Sequence, residues 1–313
     1  MITPLRTRCS LLALIACMVT PLLATSALAH DPDPTRLPIG DGKVSTTPRR
    51  GHVMNCPSPM LGGGAQAQGP WIRADGTFDF NAKAVVEGEV SWPAEFFVFV
   101  ESGRRVVASN NLPRHPTGVF PVAPGSNAFR YDRNPNAIRQ QEFRLELPAL
   151  PAVADTPCLP MGPIGFLLTG GVFFNALDAQ GKDAVAHEVQ DRCQGHPERS
   201  GAYHYHSLTT CLEGAGPAGV HSPLVGYALD GFGIYGRHGE GGVVLANADL
   251  DECHGHTHEI EWDGRRVSLY HYHATWEYPY TLGCFRGRPQ RLGGSTGNLK
   301  PPPRGPGGTR PVR

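Results

Sequence analysis

The chain carries one histidine-rich pattern twice: DRCQGH (191–196), YHYH (203–206) and Cys211, and then DECHGH (251–256), YHYH (270–273) and Cys284. Eleven of the 14 histidines lie between His187 and His273. A pattern of this length does not recur in one chain by chance, so the sequence predicts an internal duplication. Histidine is the commonest metal ligand, which makes this duplicated part the candidate functional region.

The duplication extends upstream of the histidines. PIGFLLTG at 163–170 matches PLVGYALDG at 223–231 with one residue inserted. We therefore predict two β-rich repeats, at about 163–222 and 223–287, each read as strand, turn, strand, loop and strand. The chain has 39 Gly and 30 Pro, a composition that favours turns and short strands. The predicted fold class is mainly β, or α+β, stapled by disulfides.

The first 29 residues have the pattern of a secretory signal peptide. Arg6 and Arg8 precede an apolar run, and ALA at 27–29 has the small-x-small form of a cleavage site. A rival interpretation is a lipoprotein, because LIAC at 14–17 would allow lipidation of Cys17. Apolar residues continue past Cys17, which favours release at Ala29 into the periplasm or the medium.

The rest of the chain divides by composition. We predict a flexible polar, Pro- and Gly-rich arm over 30–70, one folded domain over 71–287, and a disordered tail over 288–313. No other apolar run is long enough to span a bilayer. Net charge is +0 and the basic residues are spread out, so nothing indicates a nucleic-acid partner.

An even number of cysteines in an exported chain indicates disulfides. The signal peptide would remove Cys9 and Cys17, leaving six cysteines with 15 pairings, and the sequence selects none of them. The duplication suggests one bridge inside each repeat. The hypothesis is then Cys193–Cys211, Cys253–Cys284 and Cys56–Cys158.

The alternation of Tyr and His is typical of a strand, in which residues i and i+2 share a face. Each H-x-H pair can therefore give two nitrogens to one ion. The tyrosines lie on the opposite face and are candidate hydrogen-bond donors near the site. The histidines are His204, His206, His271 and His273, and the tyrosines are Tyr203, Tyr205, Tyr270 and Tyr272.

Two arrangements of a metal site follow. In one, the four histidines share a single ion. In the other, His196 and His256 each join the nearby H-x-H pair, which gives two three-histidine sites suited to zinc or copper. Asp191 and Asp251 are the predicted partners of the other ring nitrogens. A purely structural role, with the histidines bonded to buried carbonyls, is the alternative.

Several further residues are weaker candidates. Glu277 follows the second H-x-H at roughly the spacing of a cupin metal motif. Asp230 and His115 are also candidates, although a turn aspartate and an exposed loop histidine are the more ordinary readings. His254 and His258, in the same loop as His256, are also candidate ligands, although solvent-exposed loop histidines are the more ordinary interpretation. A mature amino terminus at His30 would be able to chelate copper.

These motifs resemble the bacterial family named for its YHYH sequence. The likeness includes CQGH at 193–196, GYALDGFGIYG at 226–236 and YPYTLGCFRG at 278–287, and it covers about 95–287. The chain departs from it at Gly233 and Thr169. The resemblance implies an exported domain and gives weight to the histidines, but it implies no reaction.

The sequence thus predicts an exported protein that binds zinc or copper at a duplicated histidine site, with a metalloenzyme as one form of it. The second hypothesis is a non-catalytic, disulfide-rich binding or structural module of the cell envelope. The sequence specifies no catalytic residue, and it identifies no small-molecule or envelope ligand.

Overall fold

The structure is a computed structural model that describes residues 32–58, 62–212 and 219–292. The predicted signal peptide, Cys17 and His30 lie outside the described residues, as does the tail from residue 293. The described part contains short strands, one α-helical turn, α1 (Ala184–His187), and three 3-10 turns at Ala128–Arg130, Glu240–Gly242 and Asn247–Asp249. This architecture confirms the prediction of a mainly β protein.

The strands outside the repeats are short except for one hairpin and its neighbour. They are β1 (Leu37–Pro38), β2 (Val44–Ser45), β3 (Val53–Met54), β4 (Thr77–Phe78), β5 (Phe96–Glu101), β6 (Arg104–Ser109) and β7 (Phe143–Pro148). The repeats contain β8 (Pro163–Leu167), β9 (Val172–Phe174), β10 (Gly195–Pro197), β11 (Tyr203–Tyr205), β12 (Leu224–Ala228), β13 (Gly233–Tyr235), β14 (Gly255–Trp262) and β15 (Arg265–His273).

The eight strands of the repeats form one sheet, in the order β10-β11-β9-β8-β12-β13-β15-β14. In the first half β10 and β11 are antiparallel, β11 and β9 parallel, and β9 and β8 antiparallel. In the second half β14 and β15 are antiparallel, β15 and β13 parallel, and β13 and β12 antiparallel. The antiparallel pair of β8 and β12 joins the halves. Each half thus has the same order and directions, as the predicted duplication requires. The common origin of the halves stays a prediction.

The segment predicted to be a flexible arm is instead packed on the domain over the part described. β1 pairs with β4, and Leu37 and Val53 are buried. The Gly40 N–H donates to the buried carboxylate of Asp183 at 2.8 Å. The polar composition of this segment obscured its few apolar residues, and burial of even one such side chain contributes roughly 1.5–3 kcal/mol.

Three disulfides link the described residues in the pairing that the duplication suggests: Cys56–Cys158, Cys193–Cys211 and Cys253–Cys284. Two of them close a repeat, and the third ties the amino-terminal segment to the residues before β8. Disulfides persist in oxidising compartments, so their presence is consistent with a location outside the cytoplasm. Within the described ranges, no helix combines the length and the apolar character needed to cross a membrane.

Candidate metal centres

Strand register brings three histidines of each repeat together. In the first half, His196 of β10 lies directly opposite His204 of β11. His206 lies two residues beyond His204, where the alternation of an extended chain returns the side chain to the same face. In the second half, His256 of β14 lies opposite His271 of β15, and His273 takes the place of His206.

The glycine of each C-x-G-H motif permits this pairing. A Cβ at Gly195 would lie 2.2 Å from the ring of Tyr203, and a Cβ at Gly255 would lie 2.3 Å from the His271 carbonyl oxygen. Close approach of the neighbouring strand therefore excludes any side chain at both positions. The left-handed conformation belongs to the preceding residues, Gln194 and His254, at φ values of 58° and 75°.

The first centre consists of His196, His204 and His206, whose ligand atoms lie within 4.8 Å of one another. All three side chains are buried, and Phe174 stacks on the His204 ring at 4.0 Å between centroids. The Nε2 atoms of His204 and His206 are 3.1 Å apart. The arrangement is geometrically able to hold a metal ion.

The contacts of the other ring nitrogens indicate which atoms are free to bind one. The Nδ1 atom of His204 faces the Ala202 carbonyl at 3.2 Å, and that of His206 faces the Asn175 carbonyl at 2.6 Å. A carbonyl only accepts, so Nδ1 carries the proton and Nε2 of the neutral ring carries a lone pair. Burial lowers the pKa of both rings, to about 4 for His204, which keeps them neutral.

Glu188 is the fourth polar group of the first centre. Its Oε2 atom lies 3.5 Å from Nε2 of His196 and 3.4 Å from Nε2 of His206. Neither Oε2 nor the two nitrogens of His196 have a hydrogen-bond partner among the described residues. Desolvation and the nearby carboxylate of Asp132 raise the pKa of Glu188. A cation bound by Oε2 and by one nitrogen of His196 would favour the ionised carboxylate and give both of these atoms a partner.

Helix α1 sets the position of Glu188. Asp183 caps its amino end by accepting from the N–H groups of Val185 and Ala186, and Glu188 follows the last helical residue. Lys83 approaches from outside and donates to the Val185 carbonyl and, at 2.7 Å, to Gln190 Oε1. Burial lowers the pKa of Lys83 to about 8.

The second centre is larger. His221 and His258 join His256, His271 and His273, and one ligand atom of each lies within 4.8 Å of the others. The Nε2 atom of His221 is 3.3 Å from that of His271 and 3.1 Å from that of His273. The Nε2 atoms of His256 and His258 are buried with no hydrogen-bond partner among the described residues.

The protonation argument of the first centre applies here to four rings. Each of these Nδ1 atoms faces a backbone carbonyl within 3.1 Å, which leaves Nε2 with its lone pair. The carbonyls are those of Ser222 for His221, Glu259 for His258, Leu269 for His271 and Gly236 for His273. Burial is the main cause that lowers the pKa of His256 to about 4 and of His271 to about 3.

The nitrogen separations agree with shared coordination. Nitrogens bound to one zinc ion at about 2.0–2.1 Å lie about 2.9 Å apart at a right angle and about 3.4 Å apart at the tetrahedral angle. The measured Nε2 separations are 3.1 Å in the first centre and 3.1 and 3.3 Å in the second. The two H-x-H pairs belong to separate groups, so the structure favours two sites over one shared by four histidines.

Asp191 and Asp251 do not hold the ring nitrogens, contrary to the prediction. Asp191 accepts from the Tyr203 hydroxyl at 2.9 Å, and Asp251 accepts from the Tyr270 hydroxyl at 2.9 Å. Each also accepts from backbone N–H groups of its D-x-C-x-G-H turn. Strand alternation explains the error, because the aspartates lie behind the strand with the tyrosines, while backbone carbonyls accept from the histidines of both H-x-H pairs.

The second tyrosine of each motif also has a buried partner. The Tyr205 hydroxyl donates to Thr169 at 3.0 Å and lies 2.6 Å from Nε2 of His115. The Tyr272 hydroxyl donates to Asp230 at 2.6 Å. Asp230 and His115 therefore belong to the tyrosine face, and His115 is buried rather than exposed.

Two further groups lie outside the centres. One oxygen of Glu277 accepts from the Asn247 N–H at 2.6 Å, and Glu277 is absent from the histidine groups found among the described residues. His115 also lies close to Cys193 and Cys211. Those sulfurs are joined in a disulfide, which removes the thiolates that would bind a metal.

The sequence analysis missed His221 and Glu188, and it favoured an exposed loop over the metal site for His258. His258 is not in an exposed loop, because β14 extends to Trp262 and its side chain is 15% exposed. His254 is also buried and lies 3.0 Å from the Thr275 hydroxyl. Neither His221 nor Glu188 carries a local signal, since each reaches its centre by tertiary contact.

Fold and site together define a mainly β, disulfide-linked domain with two histidine clusters that are geometrically able to hold metal ions. Residues 144–242 of the chain match the model of the family described as YHYH protein. The match covers about a third of the chain and includes the first centre and His221, and it ends before His256. Searches of curated proteins and of solved structures found no match.

Proposed function

We propose that this protein binds two transition-metal ions, zinc or copper, one at each histidine centre. The convergence of imidazole lone pairs carries the proposal. In the second centre His221 Nε2 lies 3.1 Å from His273 Nε2, while both Nδ1 atoms face backbone carbonyls. Two lone pairs at this distance repel one another, whereas a cation between them attracts both.

The burial of these atoms supports the same conclusion. A buried polar group without a partner costs about 1–3 kcal/mol. His196, Glu188, His256 and His258 all contribute such atoms, and all of them lie at the two centres. Metal coordination would give Glu188 Oε2 and one ring nitrogen of each of these histidines a partner, which a purely structural role of the histidines would not.

Each centre suits a divalent ion in its own way. Three imidazoles and the Glu188 carboxylate supply the four donors that zinc favours, and five imidazoles also suit copper. A bound ion would supply Lewis-acid chemistry or, with copper, electron transfer. The protein's own part is to fix the tautomers through backbone carbonyls, and the hydroxyls of the tyrosines are turned to the opposite face.

We also propose that the protein acts outside the cytoplasm, after release at Ala29. The basic and apolar pattern of residues 1–29 supports export, and the three disulfides are consistent with it. In this proposal the domain extends to about residue 287.

Elemental analysis of tag-free protein purified from the periplasm tests the proposal. We expect about two equivalents of zinc or copper, and none in the variant that changes His204, His206, His271 and His273 to Ala. The matched control is His52→Ala, which removes a histidine outside both centres. Metal-free protein that binds no added ion would refute the proposal and favour a binding or structural module.

A further inference from the structure

The first centre is closed. His196, His204 and His206 are 3%, 4% and 3% exposed, and Glu188 is 8% exposed. Phe174 stacks on the His204 ring and covers it. An ion held here would have little contact with solvent and would leave only when these groups move apart.

The second centre reaches the surface at one side. His271 and His273 are buried, whereas His221, His256 and His258 are partly exposed. His256 and His258 both lie on β14, one of the two edge strands of the eight-stranded sheet, whereas the other edge strand, β10, carries a single ligand of the first centre, His196. An edge strand is held on one side only, so two ligands can separate from the other three without disruption of the sheet interior.

Charge around the two centres differs in the same sense. The exposed Glu240 carboxylate lies 3.7 Å from His258, on the outer side of the second centre. The carboxylate of the first centre lies inside it, because Glu188, with a side chain 10% exposed, is 3.4 Å from Nε2 of His206, and Lys83 donates to the nearby Gln190 side chain.

We propose that the five-histidine centre is the exchangeable metal site of this protein, which takes up and releases its ion through the β14 edge, while the first centre retains its ion. The inference rests on the proposed function. It assigns the second centre to metal transfer with soluble chelators or with carrier molecules that present nitrogen or carboxylate ligands. The exposed Glu240 carboxylate beside His258 attracts the incoming cation.

Chelation kinetics test this inference on the full-length mature protein loaded with two equivalents of zinc. After addition of excess chromophoric chelator, we expect two phases of about one equivalent each, the fast one on the order of tenfold faster or more. His273→Ala should abolish the fast phase and His206→Ala the slow phase. A single phase, or a fast phase that disappears with His206→Ala, would overturn the inference.

A second variant avoids the ligands altogether. Glu240→Gln should slow zinc uptake by the metal-free second centre about twofold at low ionic strength, and the difference should vanish at high salt. Glu261→Gln is the matched control, because Glu261 lies on the opposite face of β14 and its loss should change nothing. Equal rates for Glu240→Gln and wild type would contradict entry at this edge. Protein that binds no zinc would refute the proposed function itself.

Discussion

The two histidine centres are built on the same strand register, yet they differ in every residue that lies outside the repeated motif. The first adds Glu188 from helix α1 and is buried, with Lys83 nearby. The second adds His221 and His258 and opens at a sheet edge. The comparison teaches that the repeated motif fixes three nitrogens, while unrepeated residues set charge, donor number and access.

Loss of one buried ligand should have the largest effect on this comparison. We expect His206→Ala to lower the stoichiometry of bound metal from two equivalents to one, and His273→Ala to remove the other equivalent. Loss of a ligand should weaken binding by more than the roughly 10–100-fold seen for outer partners of metal sites. Elemental analysis with circular dichroism, to confirm folding, checks the result. Loss of both ions in either variant would show that the centres are coupled.

Glu188→Gln tests how much the carboxylate charge contributes to metal affinity at the first centre. The amide keeps the shape of the side chain but lacks the negative charge, so we expect zinc affinity of the first centre to fall about 10–100-fold. The second centre should be unaffected. Competition titrations with a chelator of known affinity measure both sites, and Glu277→Gln is the matched control. Unchanged affinity in Glu188→Gln would exclude the carboxylate as a donor.

His115 and Asp230, which contact the tyrosines of the two halves, should make the free energy of unfolding depend on pH in opposite directions. Burial lowers the pKa of His115 below 6.5, so the unfolded chain binds the proton more tightly. The stability that neutral His115 contributes is complete above pH 6.5 and is lost as the pH falls, by at most about 1.4 kcal/mol per pH unit. His115→Gln should therefore flatten the fall in free energy of unfolding between pH 7 and pH 5, measured by urea denaturation.

Asp230 provides the matched contrast in the second half. Burial raises the pKa of Asp230 above the ordinary value of 3.8, so the folded protein binds the proton more tightly than the unfolded chain does. The free energy of unfolding therefore falls as the pH rises from 3.8 to the raised pKa. Asp230→Asn should remove that fall, at the expense of the Arg286 and Gly287 N–H bonds to the carboxylate. Identical pH profiles for His115→Gln and Asp230→Asn would contradict the opposite signs.

The disulfides should show the smallest difference. Cys211 is exposed, whereas Cys253 and Cys284 are buried, so access favours reduction of the Cys193–Cys211 bridge. We expect mild reductant to open it on the order of tenfold faster than Cys253–Cys284. Differential alkylation with peptide mass mapping gives the order. Release of Cys284 first would mean that the second half opens more readily than its burial indicates.

Much of each centre could be predicted from the sequence because the relevant geometry is local. The i, i+2 alternation of a strand places His204 and His206 on one face, and the repeated C-x-G-H motif identified the third histidine. The register that brings His196 opposite His204 needs only a short hairpin. The disulfide pairing followed from the repeat for the same reason.

The missed residues depend on contacts that no local pattern encodes. His221 meets His273 across 52 positions of the chain, and Glu188 reaches its centre through a single helical turn that the Gly- and Pro-rich composition did not suggest. His258 was misread because β14 is longer than its counterpart β10. Asp191 and Asp251 were assigned to the wrong face because their turn folds behind the strand.

The carboxylate of Asp183 joins three parts of the molecule that are far apart in sequence. It accepts from the Gly40 N–H and, at 2.7 Å, from the Tyr280 hydroxyl, and it also caps the helix that leads to Glu188. A fragment trimmed to begin at residue 71 would leave this carboxylate without one of its donors. Amino-terminal truncation, often chosen to aid crystallisation, would therefore loosen the support of the first centre from a distance.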